Sequence, residues 1–261
     1  MSGDDRIRTA ARALATALVT RTPIEPITPM LHDLDEAYRV QTLLMAQRET
    51  DDNPLVGHKV GLTSQAVRAQ LGVDQPDFGI LLADMELRGG AVIDLRRLIQ
   101  PKIEAEIAFV LADDVDSLDR DAVLAAVEYA APALEIVDSR IRDWRIGLFD
   151  TVADNASSGL YLLSDDAVDP REIDLREVEM TMTVDGELVS TGRGSDCLGD
   201  PVEALVWVAR TAAAQGRPLR AGEVVLSGAL GPMVTLRAGT EVVAEITGVG
   251  RVAATVGGNA S

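Results

Sequence analysis

Apolar residues recur at helical spacing through the first 50 residues of the chain. Four of them lie three or four positions apart near the start, namely Ile7, Ala11, Leu14 and Leu18. This spacing predicts an amphipathic helix. Asp33 and Glu36 have the spacing of a capping box, so a second helix is predicted to begin after Asp33. Two prolines within Ile24–Pro29 predict a linker between the two helices.

From Leu55 onward the apolar residues form short runs that are typical of strands. The strands predicted before residue 170 are Leu55–Val60, Phe78–Ala83, Ala91–Leu95, Ile103–Leu111, Ala133–Val137 and Leu160–Leu163. A short helix that ends at Gly72 is predicted after the first strand. A longer helix is predicted near Asp119–Ala131.

The last third of the chain is also predicted to be rich in strands. Val178–Val184 alternates strictly between apolar and polar residues, which predicts a half-buried strand. The Asp-Gly dipeptide that follows predicts a tight turn into Glu187–Thr191. A helix is predicted from Asp200 to Gly216, because its start has a cap residue and a proline and its end has a glycine. The closing strands are predicted over Glu223–Ser227, Met233–Leu236, Glu241–Thr247 and Arg251–Val256.

These elements predict an α+β fold. A helical N-terminal region is expected over residues 1–54, and residues 55–261 are expected to form a mostly antiparallel, rolled β core. The chain contains neither an internal repeat nor a regular alternation of strands and helices.

Charge and composition exclude several classes of protein. The chain has 42 acidic and 24 basic residues, a net charge of −18, and no basic block, so binding to nucleic acid or to an anionic membrane is not expected. No run approaches 18 consecutive apolar residues, so no membrane span is predicted. The acidic start does not fit a signal peptide, and the expected location is cytoplasmic. One cysteine and two histidines exclude zinc-finger sites, so a bound metal would need oxygen ligands.

Glu104 and Glu106 are separated by one residue within a predicted strand. Side chains at such positions face the same side, with their Cα atoms about 7 Å apart. Two glutamates this close can converge on one cation, and without a cation they repel each other and raise each other's pKa. The alternative is a solvent-exposed polar face, although Ala108 and Val110 continue the same face and indicate that it is partly covered.

A third glutamate, Glu135, is the one charged residue in the predicted strand Ala133–Val137. A lone carboxylate among apolar neighbours is costly to bury unless something pairs with it. Its partner could be Arg140 or Lys102 in a salt bridge, or a cation shared with the other two glutamates. Three glutamates without histidines suit Mg²⁺ or Mn²⁺ better than Zn²⁺.

Lys59 lies between two glycines, Gly57 and Gly61, in the first predicted strand. Glycines on both sides indicate that another group approaches the backbone closely. The commoner case for a single lysine is a surface residue whose head reaches water. Asp77 follows a proline and precedes an apolar run, so by itself it would pass for a turn residue.

Several segments, taken in order, resemble one enzyme family. They are Gly57–Ser64, Gly72–Gly79, Gln100–Phe109, Ala133–Arg140, Ala153–Ser157, Arg220–Gly228 and Gly248–Gly250. Together they are similar to the 2-keto-4-pentenoate (2-hydroxypenta-2,4-dienoate) hydratases and the 4-oxalocrotonate decarboxylases of the fumarylacetoacetate hydrolase superfamily. The similarity runs from about residue 55 to the end, and the helical N-terminus also suits this subfamily.

The resemblance implies a β core of the fumarylacetoacetate hydrolase type that carries a metal-binding catalytic site. The implied ligands of Mg²⁺ or Mn²⁺ are Glu104, Glu106 and Glu135. The implied catalytic residues are Lys59 and Asp77, and the implied substrate-binding residues are Asn155, Ser157, Ser227 and Gly228. A small 2-hydroxydienoate substrate, a homo-oligomer built as a pentamer or decamer, and a partner enzyme of the same pathway are expected as well.

Two reactions fit this resemblance. A hydratase would convert 2-hydroxypenta-2,4-dienoate to 4-hydroxy-2-oxopentanoate in the meta-cleavage breakdown of aromatic or steroid compounds. A 4-oxalocrotonate decarboxylase would release carbon dioxide from a substrate with a distal carboxylate. The apolar loop Ala229–Met233 favours the hydratase, as does Lys102 in place of an expected arginine, because lysine lacks a two-point grip on a carboxylate. His58 could partly compensate. A non-catalytic, metal-stabilised module is the third alternative, and it leaves Lys59 and Asp77 without a role.

Overall fold

The computed structural model describes residues 2–64, 75–88, 90 and 92–257. The α-helices are α1 (Gly3–Thr20), α2 (Leu34–Ala46), α3 (Arg120–Ala125), α4 (Leu148–Ala153) and α5 (Pro201–Ala214). The strands are β1 (Leu55–Gly61), β2 (Asp77–Leu82), β3 (Glu86–Leu87), β4 (Val92–Ile93), β5 (Lys102–Leu111), β6 (Val127–Val137), β7 (Ser158–Leu163), β8 (Glu179–Val184), β9 (Glu187–Arg193), β10 (Val224–Leu226), β11 (Val234–Thr235), β12 (Glu241–Ile246) and β13 (Gly250–Val256). The predicted short helix that ends at Gly72 lies outside the described residues.

The strands form two sheets. The larger sheet has the order β2-β1-β10-β5-β6-β7-β3, and β11 also pairs with β5. The smaller sheet has the order β4-β13-β12-β8-β9. Strand β6 of the larger sheet contacts β12 and β13 of the smaller one, so apolar side chains of both sheets share one core. Most pairs are antiparallel, and the predicted α+β fold with a helical N-terminus and a β core is confirmed.

The two N-terminal helices pack against each other, and α2 also packs against α4. The Asp33 side chain caps α2 by accepting from the Glu36 backbone N–H at 2.8 Å, as the capping box predicts. The Glu36 carboxylate does not complete the box, because it accepts from the His32 N–H and pairs with Arg6. Apolar residues of both helices belong to the same buried cluster as the sheets. The division into two regions at residue 54 stays a prediction.

The helix predicted near Asp119–Ala131 is wrong in its second half. Only α3 is helical, and Val127 already begins strand β6. Ala130 and Ala131 pair with Phe109 and Ala108 of β5 in the sheet. This tertiary pairing overrides the helical propensity of an alanine-rich segment, because propensity differences of less than about 1 kcal/mol per residue are small beside the burial of a central strand.

The strand predicted over Ala91–Leu95 is shorter in the structure, where β4 covers Val92–Ile93 and Ala91 lies outside the described residues. The Asp94 side chain accepts from the Arg96 backbone N–H and caps a 3₁₀ turn, which ends the strand. Within the described ranges, no helix is both long and apolar enough to cross a bilayer.

Candidate active site

Pairing of β5 with β6 brings the three predicted glutamates together. Glu104 lies directly opposite Glu135 in the antiparallel register, and Glu106 lies on the same face of β5 two residues further on. One carboxylate oxygen from each of the three lies within 4.8 Å of the others. All three side chains are buried, with Glu104 the most exposed at 9%. The alternative of a solvent-exposed polar face on β5 is therefore excluded.

Several oxygen atoms in this cluster lack hydrogen-bond donors. Glu106 Oε2 accepts from the Gly228 N–H at 2.7 Å, but Glu106 Oε1 and Glu135 Oε1 accept no hydrogen bond from the described residues. Buried carboxylate oxygens without partners are costly. Three converging carboxylates with free lone pairs match the hard oxygen ligands that Mg²⁺, Mn²⁺ and Ca²⁺ prefer. The residues therefore fit a divalent cation.

The pKa values of the three carboxyl groups reflect the same crowding. Burial, followed by repulsion from Glu135, raises the pKa of Glu104 to about 7. Burial and the charges of the other two glutamates raise the pKa of Glu106 well above its ordinary value. Burial also raises the pKa of Glu135, and the nearby Lys59 opposes that shift. A divalent cation would relieve this repulsion and favour the ionised carboxylates.

Lys59 lies in β1, between β2 and β10, and its side chain is only 2% exposed. Its Nζ is 3.1 Å from Glu135 Oε2 and donates to the Ala156 carbonyl at 3.2 Å. Burial alone would lower the pKa of Lys59, but Glu135, Asp77 and the other carboxylates outweigh burial and raise it. This lysine is not a surface residue whose head reaches water, and it stays charged.

The glycines on both sides of Lys59 are places of close approach, as the sequence predicts: Gly57 to the backbone of β10, and Gly61 to Asp77 and to the lysine head. A Cβ at Gly57 would lie 2.1 Å from the Val224 carbonyl oxygen, and one at Gly61 would lie 2.3 Å from Asp77 Oδ1. A Cβ at Gly79 would lie 2.9 Å from Lys59 Cγ. At Gly61 and Gly79 a Cβ would crowd Asp77, Lys59 or the Asn155 carbonyl, so glycine at these two positions leaves the space that the lysine side chain occupies.

Asp77 begins β2 rather than lying in a turn, and it is 1% exposed. Its Oδ2 accepts a hydrogen bond of 2.7 Å from the Thr151 hydroxyl, while Oδ1 accepts none from the described residues. Burial raises the pKa of Asp77, and Lys59, the Thr151 hydrogen bond and the nearby backbone N–H groups of Asp77 and Gly61 oppose that shift. Asp77 therefore has one anchored oxygen and one free oxygen beside the lysine.

Residues 155–157 form a turn in which three consecutive non-glycine residues have positive φ: 56° at Asn155, 50° at Ala156 and 54° at Ser157. The Asn155 amide donates to the Ile80 carbonyl and accepts from the Ile80 N–H, both at 2.8 Å. Both ends of its side chain are thus engaged with the backbone of β2. The turn presents the Ala156 carbonyl to Lys59 and leaves the Ser157 hydroxyl without a hydrogen-bond partner among the described residues.

Ser227 and Gly228 follow β10 and lie behind the glutamates. The Ser227 Oγ accepts from the Ile107 N–H at 3.3 Å, and the Gly228 N–H donates to Glu106. Gly228 has a φ of 95°, and a Cβ there would lie 2.4 Å from Thr63 Cγ2. This pair fixes the orientation of Glu106.

A cavity of about 470 Å³ opens above the glutamates. Of the residues predicted from the sequence, Lys59, Asp77, Glu104 and Ser157 line it. Five other predicted residues are absent from its lining, namely Glu106, Glu135, Asn155, Ser227 and Gly228. The lining also includes Thr63, Val137, Trp144, Ile146, Thr151, Thr191 and Asp196, to which the sequence analysis gave no role in the site. Thr63 and Val137 lie in segments that resemble the family, whereas no motif or matching segment includes Thr151.

The salt-bridge partners expected for Glu135 lie elsewhere. Arg140 forms a buried ion pair with Asp154, and Lys102 places its Nζ 4.5 Å from the centre of the Trp144 ring. His58 does not compensate for the missing arginine. It is buried on the other side of β1 from Lys59, stacks on Phe78 with ring centres 5.0 Å apart, and lies 3.5 Å from a Glu223 oxygen.

Fold and site together define the class of protein: an enzyme of the fumarylacetoacetate hydrolase superfamily with a buried carboxylate centre. The family model described as fumarylacetoacetate (FAA) hydrolase C-terminal matches residues 59–257. That range begins at Lys59 and includes Asp77 and the three glutamates.

Similar proteins of known name identify the family within this superfamily. The chain is 49% identical over 247 residues to 2-keto-4-pentenoate hydratase of Paraburkholderia xenovorans (strain LB400), covering 93% of this chain and 92% of the relative. It is 41% identical over 256 residues to 2-hydroxyhexa-2,4-dienoate hydratase of Comamonas testosteroni, covering 96% and 97%. The chain belongs to the 2-keto-4-pentenoate hydratase family, which confirms the resemblance carried by the ordered segments.

A solved structure shares the whole fold. The 4-oxalocrotonate decarboxylase from Pseudomonas putida G7, complexed with magnesium and adipate, superposes with a TM-score of 0.91 at 30% identity and covers 98% of both chains. The same enzyme complexed with calcium and acetate gives a TM-score of 0.90. These structures hold divalent cations, and the glutamate cluster of the present chain could bind one.

Proposed function

We propose that this chain is a metal-dependent hydratase that converts 2-hydroxypenta-2,4-dienoate to 4-hydroxy-2-oxopentanoate in the meta-cleavage breakdown of aromatic or steroid compounds. The observation that carries the proposal is the buried cluster of Glu104, Glu106 and Glu135 beside Lys59 and Asp77, at the base of a cavity sized for a small acid. Relatives named 2-keto-4-pentenoate hydratase at 46–49% identity support it. A non-catalytic module would need Lys59 only to offset the glutamate charges and would give no role to Asp77, which also lines the cavity.

The proposed metal is Mg²⁺ or Mn²⁺, held by the three glutamates. When bound, the ion supplies Lewis-acid stabilisation of negative charge on the carboxylate and 2-oxygen of the substrate. Gly228 holds Glu106 through its N–H, and Lys59 holds Glu135 through the ion pair. Both contacts orient ligand oxygens before the metal arrives.

Lys59 and Asp77 are proposed to move the protons of the reaction. Addition of water requires the 2-hydroxyl group to lose a proton and C5 to gain one, and then water to attack C4 and lose a proton while C3 gains one. Asp77 has a free carboxylate oxygen, and Lys59 has a protonated amine. Both groups line the cavity, so each can reach a bound substrate.

The second candidate is 4-oxalocrotonate decarboxylation, which the solved structure with adipate, a dicarboxylate, favours. The lining of the present cavity argues against it. Among the described lining residues Lys59 is the only cation, and it is already paired with Glu135. The remaining wall includes Ile146, Leu230, Pro232 and Met233, which suit a short alkyl tail.

Parallel assays on two substrates test the proposed function. With Mg²⁺ present, we expect a higher kcat/KM for hydration of 2-hydroxypenta-2,4-dienoate, followed by its ultraviolet absorbance, than for release of carbon dioxide from 4-oxalocrotonate. Faster release of carbon dioxide would assign the decarboxylase instead. The absence of both reactions would favour the non-catalytic module.

The metal ligands are tested with Glu106→Gln, which keeps the side-chain shape and an acceptor for the Gly228 N–H. We expect the affinity for Mg²⁺, measured by calorimetry, to fall by at least about tenfold, because even changes behind a ligand cost that much. Glu128→Gln is the matched control, since Glu128 is an exposed residue of β6. Unchanged Mg²⁺ binding by the Glu106 variant would show that the ligand assignment is wrong.

A further inference from the structure

Thr151 is the residue that anchors Asp77, although nothing in the sequence pattern marks it. It lies in α4, is 3% exposed and lines the cavity. Its hydroxyl donates a 2.7 Å hydrogen bond to Asp77 Oδ2, across 74 residues of sequence. The hydroxyl is thus used on a neighbouring element rather than on the carbonyl one turn earlier in its own helix, which is the usual partner of a helical threonine.

The spacing between Thr151 and Asp77 is fixed by a neighbouring side chain. Gln41 of α2 donates from Nε2 to the Phe78 carbonyl at 2.6 Å and to the Val152 carbonyl at 3.0 Å. These carbonyls belong to the residues directly after Asp77 and Thr151. One amide group therefore ties together the two backbone segments that carry the pair.

Helix α4 is also held at its start. The carboxylate of Asp150, the residue before Thr151, accepts from the backbone N–H groups of Ile27, Thr28 and Gly147 at 2.7, 2.9 and 3.0 Å. It also accepts from the Thr28 hydroxyl at 2.6 Å. The linker between α1 and α2 thus anchors α4, so Thr151 is a rigid donor.

The consequence for Asp77 is an asymmetric carboxylate. The last torsion of an aspartate is broad, so the carboxylate can rotate unless something holds it. Thr151 holds Oδ2. The other oxygen, Oδ1, lies against Gly61, because a Cβ added to that glycine would be only 2.3 Å from it. The Nζ of Lys59 lies 3.2 Å from that same Cβ position. The free oxygen and the lysine therefore face one small volume.

We propose that Thr151 is a positioning residue that holds the Asp77 carboxylate so that Oδ1 is presented for proton transfer. The inference rests on the proposed function, because it gives Asp77 a proton to move. The geometry of proton transfer is sensitive to displacements of about 1 Å, which can cost about 100-fold in rate. The Thr151 hydroxyl donates to Asp77 rather than to a glutamate of the cluster, so we expect its removal to leave metal binding at the glutamates unchanged.

The test compares Thr151→Val, which removes the hydroxyl at nearly constant shape, with Thr151→Ser, which keeps it. We expect kcat of the valine variant on 2-hydroxypenta-2,4-dienoate to fall about 10- to 100-fold. We expect KM and the dissociation constant for Mg²⁺ to stay near the wild-type values, and serine to restore most of kcat. Thr42→Val is the matched control, because the Thr42 hydroxyl donates to the Tyr38 carbonyl within α2, away from Asp77.

A second measurement, the pKa of Asp77, tests the role of Thr151 without an activity assay. The ¹³C resonance of the Asp77 carboxyl, titrated with pH, should give a higher pKa in the valine variant, because the Thr151 hydrogen bond lowers the pKa of Asp77 in the wild type. A folded valine variant with wild-type kcat, or an equal loss of kcat in the valine and serine variants, would overturn the inference. Absence of dienoate turnover in the wild type would instead refute the proposed function, and the Asp77 titration would still decide whether Thr151 holds the carboxylate.

Discussion

The sequence contains two lysines, Lys59 and Lys102, and both lie beside the cavity. Lys59 is buried against Glu135, whereas Lys102 is half-buried over Trp144, which lines the cavity. A buried charge is tolerated only where opposite charges and hydrogen bonds offset its loss of hydration. Lys59 therefore has a structural part as well as a proposed chemical one, since it offsets the charge of the glutamates when no metal is bound.

Replacing Lys59 by methionine separates these two parts. We expect kcat to fall by about 10²–10⁴-fold, the usual contribution of a proton-transfer group. We also expect the free energy of unfolding of the metal-free protein at pH 8 to fall by about 3–5 kcal/mol, because buried carboxylates lose their partner. Added Mg²⁺ should recover most of that loss in a denaturation experiment. Lys102→Met is the matched control, and full activity in a destabilised Lys59→Met protein would assign the lysine to structure alone.

Glu104 should make the proposed metal binding dependent on pH. Its pKa of about 7 in the metal-free protein means that a cation must displace a proton below that pH. We expect the apparent affinity for Mg²⁺ to rise at least about tenfold between pH 6 and pH 8, because Glu104 loses its proton in this range and the raised pKa of Glu106 can only steepen the dependence. Calorimetry in buffers of different ionisation enthalpy would measure both the affinity and the proton release.

The stability of the metal-free protein should change with pH in the opposite direction. Because the folded state holds a proton on Glu104 up to about pH 7 and the unfolded state only to about 4.5, folding binds protons between these values. Stability should therefore fall as the pH rises through this window, and saturating Mg²⁺ should remove the effect. Mg²⁺ affinity that does not vary with pH would contradict this assignment of Glu104.

At the scale of elements, α2 acts as a brace between a strand and a helix of the site. Gln41 is 2% exposed and bridges β2 and α4 through a single amide group. Asn155 makes a similar bridge from its turn to Ile80 of β2. Strand β2 is at the edge of the larger sheet within the described part of the chain. The two side-chain amides supply partners along that edge, because buried carbonyl and N–H groups need them.

Gln41→Met tests this brace. The variant keeps the side-chain length and leaves the Phe78 and Val152 carbonyls without their donor. We expect the free energy of unfolding to fall by about 1–3 kcal/mol, the cost of leaving buried acceptors unpaired. Gln47→Met is the matched control, because the exposed Gln47 amide donates only to the Leu43 carbonyl of its own helix. Equal unfolding midpoints for both variants in urea would show that the bridge contributes nothing.

At the scale of the whole molecule, the surface contains features that a second copy could cover. Strand β9 is an edge strand of the smaller sheet, and Leu188 and Val189 on it are 62% and 38% exposed. Val19 at the end of α1 is 76% exposed. Natural proteins usually protect an edge strand of this kind.

We predict a homo-oligomer, as the family resemblance implies, with a mass of five or ten times the 27.7 kDa of one chain. Light scattering at low micromolar concentration measures the mass. Leu188→Lys tests whether β9 takes part, and Leu118→Lys, at a residue 37% exposed near α3, is its control. A mass of 27.7 kDa for the wild type would refute the prediction. The cytoplasmic location and the partner enzyme stay predictions.

The sequence by itself determined most of the local elements and marked the charged residues that the structure brings together beside the cavity. Helix α2 begins at its predicted cap, and the alternation around Met180 and Met182 marks a strand, because caps and periodicity depend only on near neighbours. Glu104 and Glu106 share a face because strand geometry has a period of two. The order of the matching segments was enough to identify the family.

Only the tertiary structure decided which of these residues meet. Glu135 could have paired with Arg140, but Arg140 is held by Asp154, and the buried partner is Lys59 from another strand. The sequence pattern predicts a helix for the first residues of β6, but in the structure they form a strand because they pair with β5. Thr151 reaches Asp77 because a helix packs on a strand far away in sequence. Such contacts depend on strand register and on packing between distant segments. The pattern within one segment does not contain this information, so it cannot predict them.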